Sequence, residues 1–382
     1  MGLGHVSRDL AIVRAMRRLD PRTSVVWITA SPARELLELE GENIHEVSRE
    51  LESITPFIER FVDEGFSIAL AKELAATLRR NFEKLVESVD LKSFDAVFAD
   101  EFWELVLCGS ELRRYIVFGT DFVFLPIRVG IASMIFNRAF IKRLKQFRKV
   151  MLLNLLEDVV RGIGALVAGV LNPSKWVKQN CSVVGLATSY LCEELPQRER
   201  ARRELGICEG EKLVVVSLGG SRARYAQFLD KVSKALQIVA KRIKGVHAVF
   251  VLGPRAKPLS DLCGEVLELA SLETMRTLYV AADLFIARSG RTTTADLECC
   301  GTPAVLVPIA NHAEQIHIAR TVAKRRSDLF TYIDEGCSVE ELARVIESRL
   351  SSSPPARRCP EHCRGVYRAA EQVLEIARQG LI

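Results

Sequence analysis

The sequence predicts an α/β protein built from two doubly wound, Rossmann-like domains facing a cleft. Three observations carry that expectation. Short apolar runs alternate with helical stretches along the whole chain, the pattern of parallel sheets covered on both faces. The alternation comes in two series, separated by a polar and charged stretch. The 382 residues, 48% hydrophobic and 26% charged, suit two globular domains and exclude a disordered chain, a collagen-like repeat and a small disulfide scaffold.

In the first series, Ser24–Thr29 (SVVWIT), Ala96–Ala99 (within FDAVFAD) and Tyr115–Gly119 (YIVFG) read as buried strands. In the second, the strands are Lys212–Ser217, Val246–Leu252, Leu284–Ala287 and Ala304–Pro308, with a helical run to about Ile243. The expected boundaries are a first domain over 1–190, a linker over 191–212 that is interrupted by Pro196 and Gly210, a second domain over 213–355 that ends at SSSPP, and a terminal segment over 356–382 holding a helix.

The chain opens MGLGHVSRDLAIVRAMRRL, a glycine loop running straight into a helix. In an open parallel sheet such a loop follows a strand. Met1 lies inside the loop, so the first strand of this domain is expected to be missing from the sequence given. Gly4 and the helix N-terminus suit an anion. His5 brings a group that takes a proton near neutral pH, with Arg8 beside it. Ser7 occupies the third glycine position of a dinucleotide fingerprint, so that reading fails. Asp100, ending the FDAVFAD strand, is the candidate carboxylate that orients His5; the adjacent Glu101 is the alternative.

Two further loops stand at expected strand ends, where open α/β sheets bind ligands. SLGGS offers Gly219, Gly220 and Ser221 to a phosphate. The stretch ADLFIARSGRTTTADLECCGTPAVLVPIANHAEQ gathers Arg288, Ser289, Gly290, Thr293 and Asp296, then Glu314 and Gln315. A hydroxyl-rich turn, one carboxylate and an amide cluster suit a ribose, a diphosphate and a sugar.

These elements, in this order, resemble the GT-B glycosyltransferases and, within them, the MurG-like group with its family 28 C-terminal domain. The resemblance is strongest over Leu213–Ala319. It implies that the second domain binds a UDP-sugar and the first an acceptor. Gly219, Gly220 and Ser221 would then meet the diphosphate, the backbone near Leu272 and Met275 the uracil, Asp296 the ribose in place of the family's glutamate, and Glu314 and Gln315 the donor sugar. It also implies inverting transfer with no metal and no cofactor. The opening GLGHVSRDLAI is similar to the loop of MurG-like nucleotide-sugar hydrolases, which keeps hydrolysis, and a non-catalytic sugar-nucleotide subunit, as alternatives.

The net charge is +5, too small to point to nucleic acid. It is concentrated in residues 131–180, where nine Lys and Arg face only Glu157 and Asp158. Phe136, Phe140, Leu144, Phe147 and Met151 recur there at helical spacing among Arg138, Lys142, Arg143, Lys145, Arg148 and Lys149. A basic amphipathic helix reads as a contact with an anionic membrane surface, which suits a lipid-linked acceptor; the alternative is a helix burying its apolar stripe against the sheet. No apolar run is long enough to span a bilayer. The ten cysteines follow no framework spacing, so reduced thiols and a cytoplasmic location are expected. CPEHC (Cys359, His362, Cys363) offers too few ligands for a zinc site.

Overall fold

The computed structural model describes residues 2–65, 67–107, 109–124, 131–159, 169–219, 224–253, 262–268, 270–352 and 359–380. The chain divides into two compact units, the first made of Met1–Ala187 with Glu361–Ile382, the second of Thr188–Pro360.

The first unit holds a parallel sheet of β1 (Val97–Asp100), β2 (Ile116–Thr120), β3 (Lys149–Leu152) and β4 (Ser182–Val183), in that spatial order. Ile116, Phe118, Val150 and Leu152 pack with Leu105, Phe140, Leu144 and Phe147 into its core. Gly119 is required on β2: a Cβ there would lie 2.7 Å from the Phe98 ring. The opening helix, Leu3–Leu19, buries Val6, Leu10, Ile12 and Val13 and packs against the terminal helix Gly365–Gln379. That terminal helix buries Val366, Ala369, Ala370, Val373 and Leu374, so the last residues of the chain return to the first unit.

Three expectations are corrected in this unit. The glycines at the start form no loop: Gly2 is the N-cap, and Gly4 and His5 lie in the first turn of the helix. Ser24–Thr29 is not a sheet strand. It makes one parallel bridge, Trp27 with Ile44, and its backbone bonds go to Asn43, His45 and Ser48, so among the described residues no neighbouring strand draws it into the sheet. The basic helix ends at Leu144, and Lys149–Leu152 is a central strand because Val150, Met151 and Leu152 are all buried, the requirement of a strand covered on both faces. Phe140, Leu144 and Phe147 face the core, and Phe136 and Phe140 lie against Trp103. The alternative reading of that stripe therefore holds.

The second unit is a six-stranded parallel sheet of β5 (Lys212–Ser217), β6 (Val246–Val251), β7 (Glu265–Leu267), β8 (Leu284–Ala287), β9 (Ala304–Leu306) and β10 (Phe330–Tyr332), ordered β10-β9-β8-β5-β6-β7. Numbered from β5, this is the 3-2-1-4-5-6 order of the Rossmann fold, with its switch point between β5 and β8. Residues 191–212 are no free linker. Arg198–Glu204 is a helix packed on the helix Leu272–Ala281. Its Arg198 and Arg202 bond to Asp283 at 2.8 and 2.9 Å, and Asp283 also accepts the backbone N–H of Leu213.

The expectation of thiols throughout is corrected as well. Cys192 and Cys359 form a disulfide across 167 residues, stapling the first and last parts of the second unit. The CPEHC cluster is broken up by that bond.

Candidate functional site

In the first unit the site grows from two strand ends and one helix. β1 ends at Asp100, and β2 ends at Thr120, followed by Asp121; the register pairs Asp100 with Gly119. The first two turns of the opening helix present His5, Arg8 and Asp9 to this edge. Arg8 is fully buried and is the hub. Its Nε and Nη2 donate to the two oxygens of Asp100 at 2.7 and 2.6 Å, and its Nη1 donates to Asp121 at 2.6 Å. Such a two-pronged grip fixes a carboxylate in orientation as well as in charge.

His5 lies on the open side, its side chain 24% exposed where that of Asp100 is enclosed. Its Nδ1 is 3.1 Å from Asp100 Oδ2 and 3.0 Å from Arg8 Nη2. Ionised Asp100 can only accept, so its contact with Nδ1 calls for the Nδ1–H tautomer, which leaves the Nε2 lone pair outward. Burial lowers the basicity of His5, but the charge of Asp100, the hydrogen bond to it and the charge of Glu101 outweigh burial and Arg8, so its pKa is raised. The Asp100 carboxyl is driven the other way: burial alone would raise it, and Arg8 and His5 hold it far below the ordinary carboxylate range. Asp9 is buried with one oxygen lacking a protein partner. Burial first, then the charge of Asp100, raises its pKa well above normal.

Glu101 adds a strained element. Its backbone is left-handed, φ 46°, a conformation rare for residues other than glycine. Its Oε1 accepts from Thr120 Oγ1 at 2.9 Å and from the Asp121 N–H at 3.0 Å, and its Oε2 stands 3.9 Å from His5 Nε2. The structure thus brings His5, Asp100 and Glu101 together. The roles of Asp9 and Asp121 were missed in the sequence. Asp121 had a signal, since it directly follows a buried strand as Asp100 ends one; Asp9 had none, because its neighbours show only in three dimensions.

In the second unit, the switch point places Leu218–Gly219, after β5, near Arg288–Gly290, after β8, since Ser217 and Ala287 pair at the ends of the two strands. Gly219 is left-handed, φ 68°; Gly220 and Ser221 lie outside the described residues. The helix Arg291–Cys300 starts at Gly290 without a side-chain cap, an open N-terminus of the kind that receives anions, and Thr293 in its first turn is partly exposed. Leu272 is buried and Met275 half-buried at the start of the helix Leu272–Ala281, whose N-cap is Ser271. Glu314 is half-buried in the first turn of the helix Ala313–Arg325. Gln315 is buried, and its Oε1 accepts the Ile309 N–H at 3.0 Å.

Three expected ligand residues are enclosed instead. Asp296 is 1% exposed, and its two oxygens accept from Ser189, N–H at 2.8 Å and hydroxyl at 2.7 Å; Tyr190 adds a bond to its carbonyl. Burial pushes its carboxyl up to about 7 despite those bonds. Asp296 is thus a fastening between the start of this unit and the helix Arg291–Cys300, with both carboxylate oxygens taken by Ser189. Arg288 donates to the Val307 carbonyl at 2.9 Å and to Glu335 at 2.6 Å and stacks over Phe228. The Ser289 hydroxyl bonds the Gln315 carbonyl at 2.7 Å. Arg288 thus ties the end of β8 to the segments after β9 and β10, and Ser289 ties it to the helix Ala313–Arg325.

Comparison with known proteins agrees with the second unit. Residues 214–373 match the Glycosyltransferase family 28 C-terminal domain. An uncharacterized glycosyltransferase of Methanopyrus kandleri is 30% identical over 182 residues, 47% of this chain and 50% of that protein. The UDP-N-acetylglucosamine–N-acetylmuramyl-(pentapeptide) pyrophosphoryl-undecaprenol N-acetylglucosamine transferase of Acetivibrio thermocellus is 23% identical over 401 residues, 98% of this chain and 95% of that one. The chain spans about half the length of the Methanopyrus protein and of the corresponding Mycolicibacterium smegmatis transferase. Among solved structures, Acinetobacter baumannii MurG superposes with TM-score 0.54 at 15% identity, covering 98% of this chain and 96% of its own. Neisseria meningitidis UDP-GlcNAc 2-epimerase does so with TM-score 0.61 at 12% identity, covering 98% of each. The chain is MurG-like in sequence and GT-B in fold, as the motifs implied.

Proposed function

We propose that this chain, with its family 28 half and its MurG-like whole, is a glycosyltransferase that moves a hexosyl or N-acetylhexosaminyl group from a UDP-sugar to a lipid-linked or membrane-borne acceptor, with inversion and without a metal. The observation that carries the reading is the His5–Asp100 pair. A histidine whose Nδ1 is bonded to a locked carboxylate has its Nε2 available as general base. On this reading His5 takes the proton of the acceptor hydroxyl as that oxygen bonds the anomeric carbon. The bond to the diphosphate breaks, and UDP leaves with the electron pair. The transition state has oxocarbenium character. The uncapped helix start at Gly290 and the Gly219 turn take the developing charge on the leaving group, with Gln315 and Glu314 on the sugar and the backbone at Leu272 and Met275 on the uracil. The place of action is a membrane surface. No helix among the described residues is long and apolar enough to cross one.

A second reading, hydrolysis of the nucleotide sugar by the same base, is favoured by one observation. Phe140, Leu144 and Phe147 are in the core, so the basic segment has lost much of the apolar stripe that argued for a lipid acceptor. Incubation with labelled UDP-sugars, with and without membrane lipid extract, separates the two. Label entering the lipid phase supports transfer; free sugar in both samples supports hydrolysis; no release of UDP in either sample counts against both.

A further inference from the structure

The His5 base does not stand alone at its edge of the first sheet. Glu101 is held in a left-handed backbone conformation, φ 46°, that is unfavourable for such residues and persists only where the surroundings impose it, a pattern that concentrates at functional sites. Here the surroundings do impose it: the Glu101 N–H donates to the Gly119 carbonyl at 3.0 Å, and Thr120 and Asp121 pin Oε1. The result of all this fixing is that Oε2 is presented to His5 Nε2 across 3.9 Å. That gap is too long for a direct hydrogen bond and wide enough for one oxygen lying about 2.8 Å from each, an ordinary hydrogen-bond length. Both side chains keep some exposure, 24% for His5 and 17% for Glu101.

We propose that Glu101 is a second catalytic residue, its Oε2 and His5 Nε2 together forming the seat of the attacking oxygen. The inference rests on the function proposed above and deepens it. With Nδ1–H engaged by Asp100, Nε2 is an acceptor, and an ionised Glu101 is an acceptor too. A seat made of two acceptors selects a nucleophile that brings two O–H donors. A water does so by itself, and an acceptor sugar does so with two neighbouring hydroxyls. In the step, one O–H proton passes to His5 Nε2 as the oxygen bonds the anomeric carbon and UDP departs with the electron pair. Glu101 keeps the second hydrogen bond and takes no proton, and it offsets the positive charge that arrives on His5. An isolated alcohol with one O–H would leave the Glu101 carboxylate facing its lone pairs.

The test uses Glu101→Gln, whose side-chain carbonyl still accepts from Thr120 and Asp121 while its NH₂ puts a donor into the seat, and Glu101→Asp, which keeps the charge and withdraws it. UDP release from a panel of UDP-hexoses and UDP-N-acetylhexosamines is followed in buffer alone and with membrane lipid extract, which distinguishes water from an acceptor sugar as the source of the two donors. Glu101→Gln should lower kcat at least 100-fold in whichever arm the wild type is active, with unchanged UDP affinity, and Glu101→Asp should fall between. The imidazole pKa of His5, read by NMR, should drop in Glu101→Gln, since the Glu101 charge helps to raise it. Wild-type kcat in Glu101→Gln, or an unmoved His5 pKa, overturns the proposal. If the wild type releases UDP in neither arm, the transfer and hydrolysis readings fall, and the His5 pKa alone then decides whether the two groups share a seat.

Discussion

Arg8 holds both oxygens of Asp100, at 2.7 and 2.6 Å, and the same carboxylate meets His5 Nδ1 at 3.1 Å. A buried guanidinium therefore sets the orientation of the group that in turn sets the tautomer of the histidine.

His5→Ala should lower turnover roughly 10²–10⁴-fold with UDP affinity nearly intact, the signature of a lost general base. Because the His5 pKa is raised above 6.5, kcat/KM should climb with pH through an inflection above that value, as the imidazole loses its proton. The stability that protonated His5 draws from Asp100 runs the opposite way. It is complete below the unfolded-state pKa near 6.5 and disappears as pH rises through the higher folded value. A rate profile flat from pH 6 to 8.5 would remove His5 from the mechanism.

Asp296 should behave as a structural group. Its carboxyl lies near pH 7 in the folded protein against an ordinary 3.8, so between those values the native state binds more protons than the unfolded chain, and stability should fall as pH rises through this window. Asp296→Asn keeps an acceptor for the Ser189 N–H, offers a donor to the Ser189 hydroxyl and cannot ionise. It should match the wild type near pH 5, exceed it in Tm at pH 8, and bind UDP unchanged by calorimetry. A tenfold or greater loss of UDP affinity in this variant would return Asp296 to the ribose.

The Cys192–Cys359 bond closes a loop across 167 residues. In the loop-entropy picture such a bond is worth up to about 5 kcal/mol. Reductant, or Cys192→Ser with Cys359→Ser, should lower Tm, and non-reducing peptide mapping should recover the two cysteines joined. Equal Tm in the wild type and in Cys192→Ser with Cys359→Ser would show that the bond contributes nothing measurable.

Arg138, Lys142 and Lys145 are exposed on and just after the basic helix, and Ile135 and Leu171 are exposed in the same segment, at 61% and 95%. With the aromatic stripe in the core, membrane attraction should be chiefly electrostatic, about 1 kcal/mol for each Lys or Arg near an anionic surface. Co-sedimentation with anionic vesicles should therefore fall steeply between 0.1 and 1 M salt as the Debye length shrinks from about 10 to 3 Å. Replacing Arg138, Lys142 and Lys145 by Gln should abolish it while leaving UDP binding unchanged. Failure of the wild type to bind such vesicles at low salt would favour the hydrolytic reading.

The sequence by itself determined the two α/β series, the four strands at Lys212–Ser217, Val246–Val251, Leu284–Ala287 and Ala304–Leu306 but not the edge strand Glu265–Leu267, the glycine and hydroxyl turns at their ends, and the pairing of His5 with Asp100. Those features are local: a strand buried on both faces writes itself as a run of apolar residues, and the ligand edge follows from where such runs stop. Only the tertiary structure decided which polar residues near that edge are open. Asp296, Arg288 and Ser289 share the motif's spacing with Gly290 and Thr293, yet their side chains bond Ser189, Glu335 and the Gln315 carbonyl. Burial of a polar group is settled by partners far away in sequence, as Ser189 is from Asp296. The same reason hid the strand at Lys149–Leu152, whose apolar residues continue the helical spacing of Phe136–Phe147 and are told apart only by the strands on either side. It also hid the return of the terminal helix to the first unit and the joining of Cys192 to Cys359, since neither leaves a periodic trace in the residues between.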